Sequence, residues 1–382
     1  VNVLSESITI AVTALAQELR AQGKDVLSFS AGEPDFGTPR VIKDAAIEAI
    51  ESDKTRYTAV DGIPELKKAN IEKLERDNGL HYEPNQVIVN NGAKHSLFNL
   101  FQATIQEGDE VVIPAPYWVT YPELVKYCGG TPVEILTDDA SGFKITPQQL
   151  RDAITPKTKM LILTTPSNPT GAVYSKAELE GLAEVLKGTD IIVASDEMYE
   201  KLVYKGEFTS AAAISDDMFK RTVTINGLSK SVAMTGWRFG YMASVDAEMI
   251  KATKKLQSQS TSNINSITQY AAIEGLDGSA DDDSEMMRQA FMARRDEAAR
   301  RFNAVDGLSV LAPDGAFYLF VNIKEVTDDS LTFCKRLLEE KEVAVVPGIG
   351  FGLDGYFRFS FATDIEKIRE GIDRIAEFVK NY

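Results

Sequence analysis

Lys230 and Arg238 stand eight residues apart in the run Asn226-Gly-Leu-Ser-Lys-Ser-Val-Ala-Met-Thr-Gly-Trp-Arg-Phe-Gly. The lysine follows an apolar stretch and sits among small residues near a second cation. Such a position favours loss of its proton and attack on a carbonyl to form a Schiff base. Arg238 is then placed to hold a dianionic phosphate on the same ligand. The bland alternative is a surface loop with two solvated charges, and this stretch alone does not decide between them.

Three further segments complete a set: Val89-Asn-Asn-Gly92-Ala-Lys94, Pro166-Ser-Asn168-Pro-Thr-Gly171 and Ala194-Ser-Asp196-Glu-Met-Tyr199. Together, and in this order, they resemble the class I aminotransferases of the fold type I pyridoxal phosphate family, over about Leu27 to Thr363. Within that family, Ala31-Gly-Glu-Pro-Asp-Phe36, Ala233-Met-Thr-Gly-Trp-Arg238 and Tyr117-Trp118 are most similar to the bacterial-type aspartate aminotransferases.

The resemblance implies a role for each matching residue. Pyridoxal 5′-phosphate acts as an electron sink while its ring nitrogen stays protonated, and Asp196 is the carboxylate expected there, against the rival role of a helix N-cap. Tyr199 and Asn168 are expected at the cofactor's phenolate oxygen, although a turn asparagine also shapes its own backbone. Gly92, Ala93 and Lys94 map onto the phosphate-cradling turn, where a helix opens and its backbone N–H groups face an anion. This chain lacks the hydroxyl residues that other branches use in that turn. Trp118 is the ring expected over the cofactor, its rival a place in the core. Arg358, flanked by aromatics, is expected to fork onto the substrate α-carboxylate, with Gly32 approaching the same group. Tyr57 matches a tyrosine that crosses a homodimer interface to the partner's phosphate; a core position is the alternative. Lys94 and Thr9 are the candidates for contact with a distal carboxylate, which favours aspartate or glutamate as substrate. For Lys94, a solvated or phosphate-bound ammonium is the competing reading.

The remaining composition narrows the field. A net charge of −16, from 57 acidic and 41 basic residues, opposes binding to nucleic acid. Two histidines and two cysteines in unrelated positions offer neither a zinc set, a disulfide framework nor a serine or cysteine triad. No apolar run reaches the roughly 20 residues needed to cross a bilayer. A cytoplasmic enzyme is the expectation, with room for a removed leader because the chain begins with Val. Gly350-Phe-Gly-Leu-Asp-Gly355 spells a dinucleotide fingerprint, but a strand rather than a helix follows it, so nicotinamide binding is not expected.

Elements that could position these residues are readable as short Val- and Ile-rich runs: Gln86–Val89, Glu110–Ile113, Lys159–Leu163, Ile191–Ala194 and Thr222–Ile225. Continuous apolar runs of this length suit strands buried on both faces, in an α/β core with a mostly parallel sheet between helices. Helices are expected over Ala93–Ile105 and Lys176–Leu186, the second capped by Ser175 with Glu178. The segment Val1–Arg20 reads as amphipathic helix. The acidic Asp277–Ser284 reads as a solvated loop before a helix over Glu285–Ala304. Leu308–Leu311, Ala316–Asn322, Val343–Val346 and Phe357–Ser360 read as strands of a smaller α+β unit. The resemblance implies a seven-stranded sheet in a large domain, residues 40–280. The small domain is then discontinuous, 1–39 with 281–382. It also implies ping-pong transfer of an amino group between aspartate and 2-oxoglutarate. Transaminases of aromatic amino acids, kynurenine or prephenate, and a C–S lyase on the same scaffold, are the alternatives.

Overall fold

The computed structural model describes residues 4, 5 and 8–382. In chain order their strands are β1 Leu27–Ser28, β2 Val87–Asn91, β3 Glu110–Ala115, β4 Thr131–Leu136, β5 Thr158–Thr164 and β6 Ile192–Asp196, then β7 Thr222–Gly227, β8 Phe239–Ala243, β9 Tyr318–Asn322, β10 Val343–Ala344, β11 Val346–Pro347 and β12 Tyr356–Ser360. Seven of them form one sheet in the order β2-β8-β7-β6-β5-β3-β4. From β7 to β4 all neighbours are parallel, while β8 runs antiparallel to both β7 and β2. The five apolar runs read from the sequence are strands of this sheet, each extending one or two residues further at its carboxyl end, with β2 and β6 starting one residue later than read. Its two faces carry separate apolar layers: Ile113, Ile162, Ala194 and Ile225 on one side, Leu161, Leu163 and Val193 on the other.

Two strands of the sheet escape the apolar-run reading. In β8, Phe-Gly-Tyr-Met-Ala, Gly240 interrupts the run because a Cβ there would strike the backbone of Gly92 and Ala93. In β4, Thr-Pro-Val-Glu-Ile-Leu, only Ile135 is buried, and Pro132 is tolerated because the strand is an edge.

β11, β12 and β9 form a second, antiparallel sheet. β1 pairs in parallel with β10, which ties the N-terminal segment to the C-terminal strands. Stacked rings fill the space around them, as between Phe29 and Phe359 at 4.1 Å.

Several expectations are corrected. Asp281–Ser284 is not loop: the helix runs Asp281–Phe302, and its three leading aspartates stand where the helix dipole favours negative charge. Leu308–Leu311 is not a strand and contributes only one bridge, Ser309 to Asn322. Val343–Val346 is divided between β10 and β11, which belong to different sheets. The first helix spans Ile8–Ala21; the part of its expected range at 1–3 and 6–7 lies outside the described residues. Ser175 and Glu178 do cap each other reciprocally at the helix Lys176–Leu186.

Candidate active site

A cavity of about 570 Å³ opens at the carboxyl ends of the parallel strands, the position where open α/β sheets gather ligand groups. Much of its wall comes from strand ends or the turns after them. Asp196 ends β6, Lys230 follows β7, Asn168 follows β5, and Trp118 follows β3. Ala93 and Lys94 open the helix after β2. The second sheet contributes Arg358 from the middle of β12, and the helix Ile8–Ala21 brings Thr9.

Lys230 is half-buried on the cavity wall, and its ammonium donates to the carbonyl of Gly32. Burial is the main force on its pKa, pulling it from 10.5 to about 8; the charges of Arg358 and Arg238 act the same way, and Glu33 and Asp196 oppose them. At pH 7 this amine is therefore a usable nucleophile and base.

Asp196 accepts from the Tyr121 hydroxyl at 2.7 Å and from the Met198 N–H at 3.3 Å. Burial lifts its pKa, and these two bonds together with the Lys230 charge hold it back. Tyr199 lies behind it, its hydroxyl 2.8 Å from that of Tyr318. Burial and the Tyr318 hydroxyl keep the Tyr199 phenol protonated and thus able to donate.

Arg358 is 2% exposed and has no carboxylate partner among the described residues. One amino group donates to Asn168 Oδ1 at 2.9 Å and the other to the Ser30 carbonyl at 2.7 Å. Its Cζ lies 4.4 Å from the centre of the Tyr318 ring, and its Nε has no partner among the described residues. A buried cation satisfied only by neutral oxygens is prepared for an anion. With Asn168 Oδ1 occupied by Arg358, the Asn168 amide NH₂ remains available to a ligand.

Gly92 precedes the helix Ala93–Thr104 at φ 81°, and a Cβ there would stand 2.6 Å from Arg238 Nη2. Glycine thus lets the guanidinium close on a helix N-terminus, two anion-attracting features side by side. Arg238 itself adopts φ 58° and donates to Thr235 O at 2.9 Å. Lys94 reaches over Trp118, 4.8 Å from its ring centre, and partial burial and then Arg238 lower its pKa. Gly32 has its own steric reason, since a Cβ would lie 2.9 Å from the Tyr318 hydroxyl.

The cavity thus gathers Thr9, Gly32, Ala93, Lys94, Trp118, Asn168, Asp196, Tyr199, Lys230, Arg238 and Arg358, with Gly92 immediately behind Arg238. Tyr57 is not among them: it is 93% exposed, which overturns its reading as a core residue and keeps it away from the cavity of its own chain. Trp118 is half-buried at the cavity wall, not in the core. Sequence reasoning missed Tyr121, Tyr318 and Ser30, which hold Asp196, Tyr199 and Arg358. The one available signal was Tyr121, three residues after Trp118, in the first turn of the helix Thr120–Tyr127.

The chain matches the family Aminotransferase class I and II over residues 24–375. It is 48% identical to an aspartate aminotransferase of Bacillus sp. strain YM-2, covering 100% of this chain and 98% of the relative. With an aspartate/prephenate aminotransferase of Cereibacter sphaeroides the identity is 50%, over 97% of this chain and 96% of that one. Among solved structures, Thermus thermophilus aspartate aminotransferase with maleate superimposes with a TM-score of 0.94 at 44% identity, over 98% of this chain and 97% of that one.

Proposed function

This chain belongs to the class I and II aminotransferases, and from that premise we propose that it moves the amino group of aspartate to 2-oxoglutarate with pyridoxal 5′-phosphate as cofactor. The observation that carries the proposal is Lys230, a half-buried amine with its pKa drawn down to about 8. It shares one cavity with the enclosed carboxyl of Asp196 and the unpaired cation of Arg358.

The residues fit the cofactor on three counts. Gly92 leaves room for Arg238 at a helix N-terminus, as a phosphate requires. Asp196 is buried, steadied by Tyr121, and able to accept from a ring N–H. Lys230 is an accessible amine at the cavity floor. When bound, the cofactor would draw electron density from the substrate Cα and so make its proton removable.

In this reading Arg238 and the N–H groups at Ala93 and Lys94 hold the phosphate. Tyr199 and the Asn168 amide donate to the phenolate oxygen, and Trp118 covers the ring. Arg358 binds the substrate α-carboxylate in fork geometry, with Gly32 beside it, and fixes the Cα toward Lys230. Lys230 would anchor the cofactor and, as a free amine, would carry the proton between the substrate Cα and the cofactor's C4′ as general base and acid. Lys94 and Thr9 stand where the distal carboxylate of a dicarboxylic substrate would lie. The Thermus thermophilus relative was solved with maleate, itself a dicarboxylate, which supports that choice.

The 93% exposure of Tyr57 supports a homodimer in which each Tyr57 reaches the other protomer's phosphate. The β1–β10 pairing supports a small unit of 1–39 with 281–382 beside a large one of 40–280. The free cysteines Cys128 and Cys334 suit the cytoplasm as compartment. A second reading, with prephenate as amino acceptor, is favoured by the name of the Cereibacter sphaeroides relative.

The test is Lys230→Ala in a coupled aspartate and 2-oxoglutarate assay with added pyridoxal phosphate. Steady-state turnover should fall by about 100- to 10,000-fold or more. Turnover near that of the native chain would refute the assignment of Lys230.

A further inference from the structure

Asp196 and Glu197 are consecutive, and the Glu197 N–H donates to the Ile225 carbonyl at 2.9 Å. The strand alternation therefore carries past the end of β6 and sends the two carboxyls to opposite faces of the sheet. Asp196 enters the cavity. Glu197 is fully buried on the far face.

Near the ends of β6 and β7 the apolar layer of that face gives way to buried polar side chains. Strand register sets Ser195 beside Thr224, and Asn226 beside Tyr241. Thr224, Asn226, Tyr241, nearby Tyr82 and Glu197, at Oε2, each bury a polar atom with no partner among the described residues. Its other oxygen is fully engaged: Oε1 accepts from Ser195 Oγ at 2.8 Å, Ser210 Oγ at 2.8 Å and the Ala211 N–H at 3.2 Å. Among the described residues Glu197 has no ion pair. The nearby Lys73 is taken by Glu200 and by Asn78. A fully desolvated carboxylate without a cation is costly. As an acid protonated at Oε2, Glu197 keeps all three bonds at Oε1 and sheds the charge.

We propose that Glu197 is a positioning residue that takes its uncharged acid form below neutral pH, and that it clamps Ser210 and Ala211 to the end of β6 and so fixes the direction in which Asp196 enters the cavity. This rests on Asp196 as the carboxylate for the cofactor nitrogen. Burial and then Glu200 push the Glu197 pKa up to about 7, against the pull of Ser195, Ser210 and Lys73. The charged and titratable groups facing this region are Glu200 on the turn after β6, Lys73 and Asp77 on the helix Pro64–Asn78, Tyr82 beyond that helix and Tyr241 on β8.

The sign follows from linkage. A folded-state pKa of about 7 lies above the ordinary 4.5, so the folded chain holds this proton more tightly than the unfolded one. The group's stabilisation is complete below pH 4.5 and is lost as pH rises to about 7. Glu197→Gln keeps the shape and neutrality but cannot ionise.

Two measurements on the full chain test the proposal: Tm from about pH 5 to pH 8, and the dissociation constant for pyridoxal phosphate. The Tm of Glu197→Gln relative to the native chain should climb with pH, and its cofactor affinity should stay within about threefold of native. Glu197→Ala should weaken cofactor binding about tenfold or more with the far-UV circular dichroism unchanged. If that variant does not fold, Ser210→Ala, which removes one of the three donors, should weaken binding in the same direction. A Tm difference that is flat with pH overturns the acid form. Native affinity in the alanine variants, or loss of affinity in Glu197→Gln equal to that in Glu197→Ala, overturns the positioning role. A native chain that binds no pyridoxal phosphate would overturn the cofactor reading and the positioning role together, while the Tm comparison would still decide the acid form.

Discussion

Replacing Arg358 by alanine separates capture of the substrate from capture of the cofactor. The guanidinium is 2% exposed and bonded only to Asn168 Oδ1 and the Ser30 carbonyl, so its charge is unmatched until an anion arrives. Truncating one member of a desolvated, hydrogen-bonded charge pair costs about 2–5 kcal/mol. At about 1.4 kcal/mol per decade this is roughly a 30- to 5,000-fold loss of affinity for aspartate. The assay is the half-reaction with aspartate alone, followed by the change in cofactor absorption as substrate concentration is raised. The resting absorption band should survive, because the cofactor's phosphate and ring are assigned to other residues. The pKa of Lys230 should also rise, since Arg358 is one of the charges holding it down. Aspartate affinity within about threefold of native, or loss of the resting band, would refute this division of roles.

Three further outcomes are expected. The free-amine fraction of a group titrating at about 8 grows roughly tenfold per pH unit below that value and then levels, so attachment of pyridoxal phosphate to the apoprotein should accelerate to a plateau just above pH 8; acceleration continuing to pH 10 would contradict the desolvated setting of Lys230. Tyr121→Phe removes a hydroxyl 2.7 Å from Asp196; a hydrogen bond to a charged group is worth about 1.5–3 kcal/mol, so kcat should fall about 10- to 100-fold with little change in KM for aspartate, and a change confined to KM would count against it. Gly92→Ala puts a methyl 2.6 Å from Arg238 Nη2 at a φ of 81°, so affinity for pyridoxal phosphate should fall while that for unphosphorylated pyridoxal stays level; equal losses for both would assign the effect to general distortion.

Much of the site was legible because several functional residues end a strand or open a turn, where sequence patterns change character. Asp196, Asn168 and Lys230 each mark such a junction. Arg358 was legible for another reason, as a cation among aromatics without an evident partner. Tyr121 and Tyr318, both about 1% exposed, were not, because a buried tyrosine between apolar residues reads as core until its hydroxyl is seen to bond. β8 was hidden by Gly240, which is there for backbone contact with the turn at Gly92 rather than for flexibility. The aspartates at 281–283 were misread because charge density suggests solvent, whereas the helix N-terminus supplies its own reason for acidic residues. Glu197 passed unnoticed beside Asp196, since only the alternation of the strand separates a carboxyl in the cavity from one behind it.

The most direct measurement is reduction of the cofactor-loaded protein with borohydride, followed by proteolysis and mass mapping. A single pyridoxyl label on the peptide bearing Lys230 is the predicted result. A label on Lys94 or any other lysine, or no label at all, would contradict the assignment on which the proposed chemistry depends.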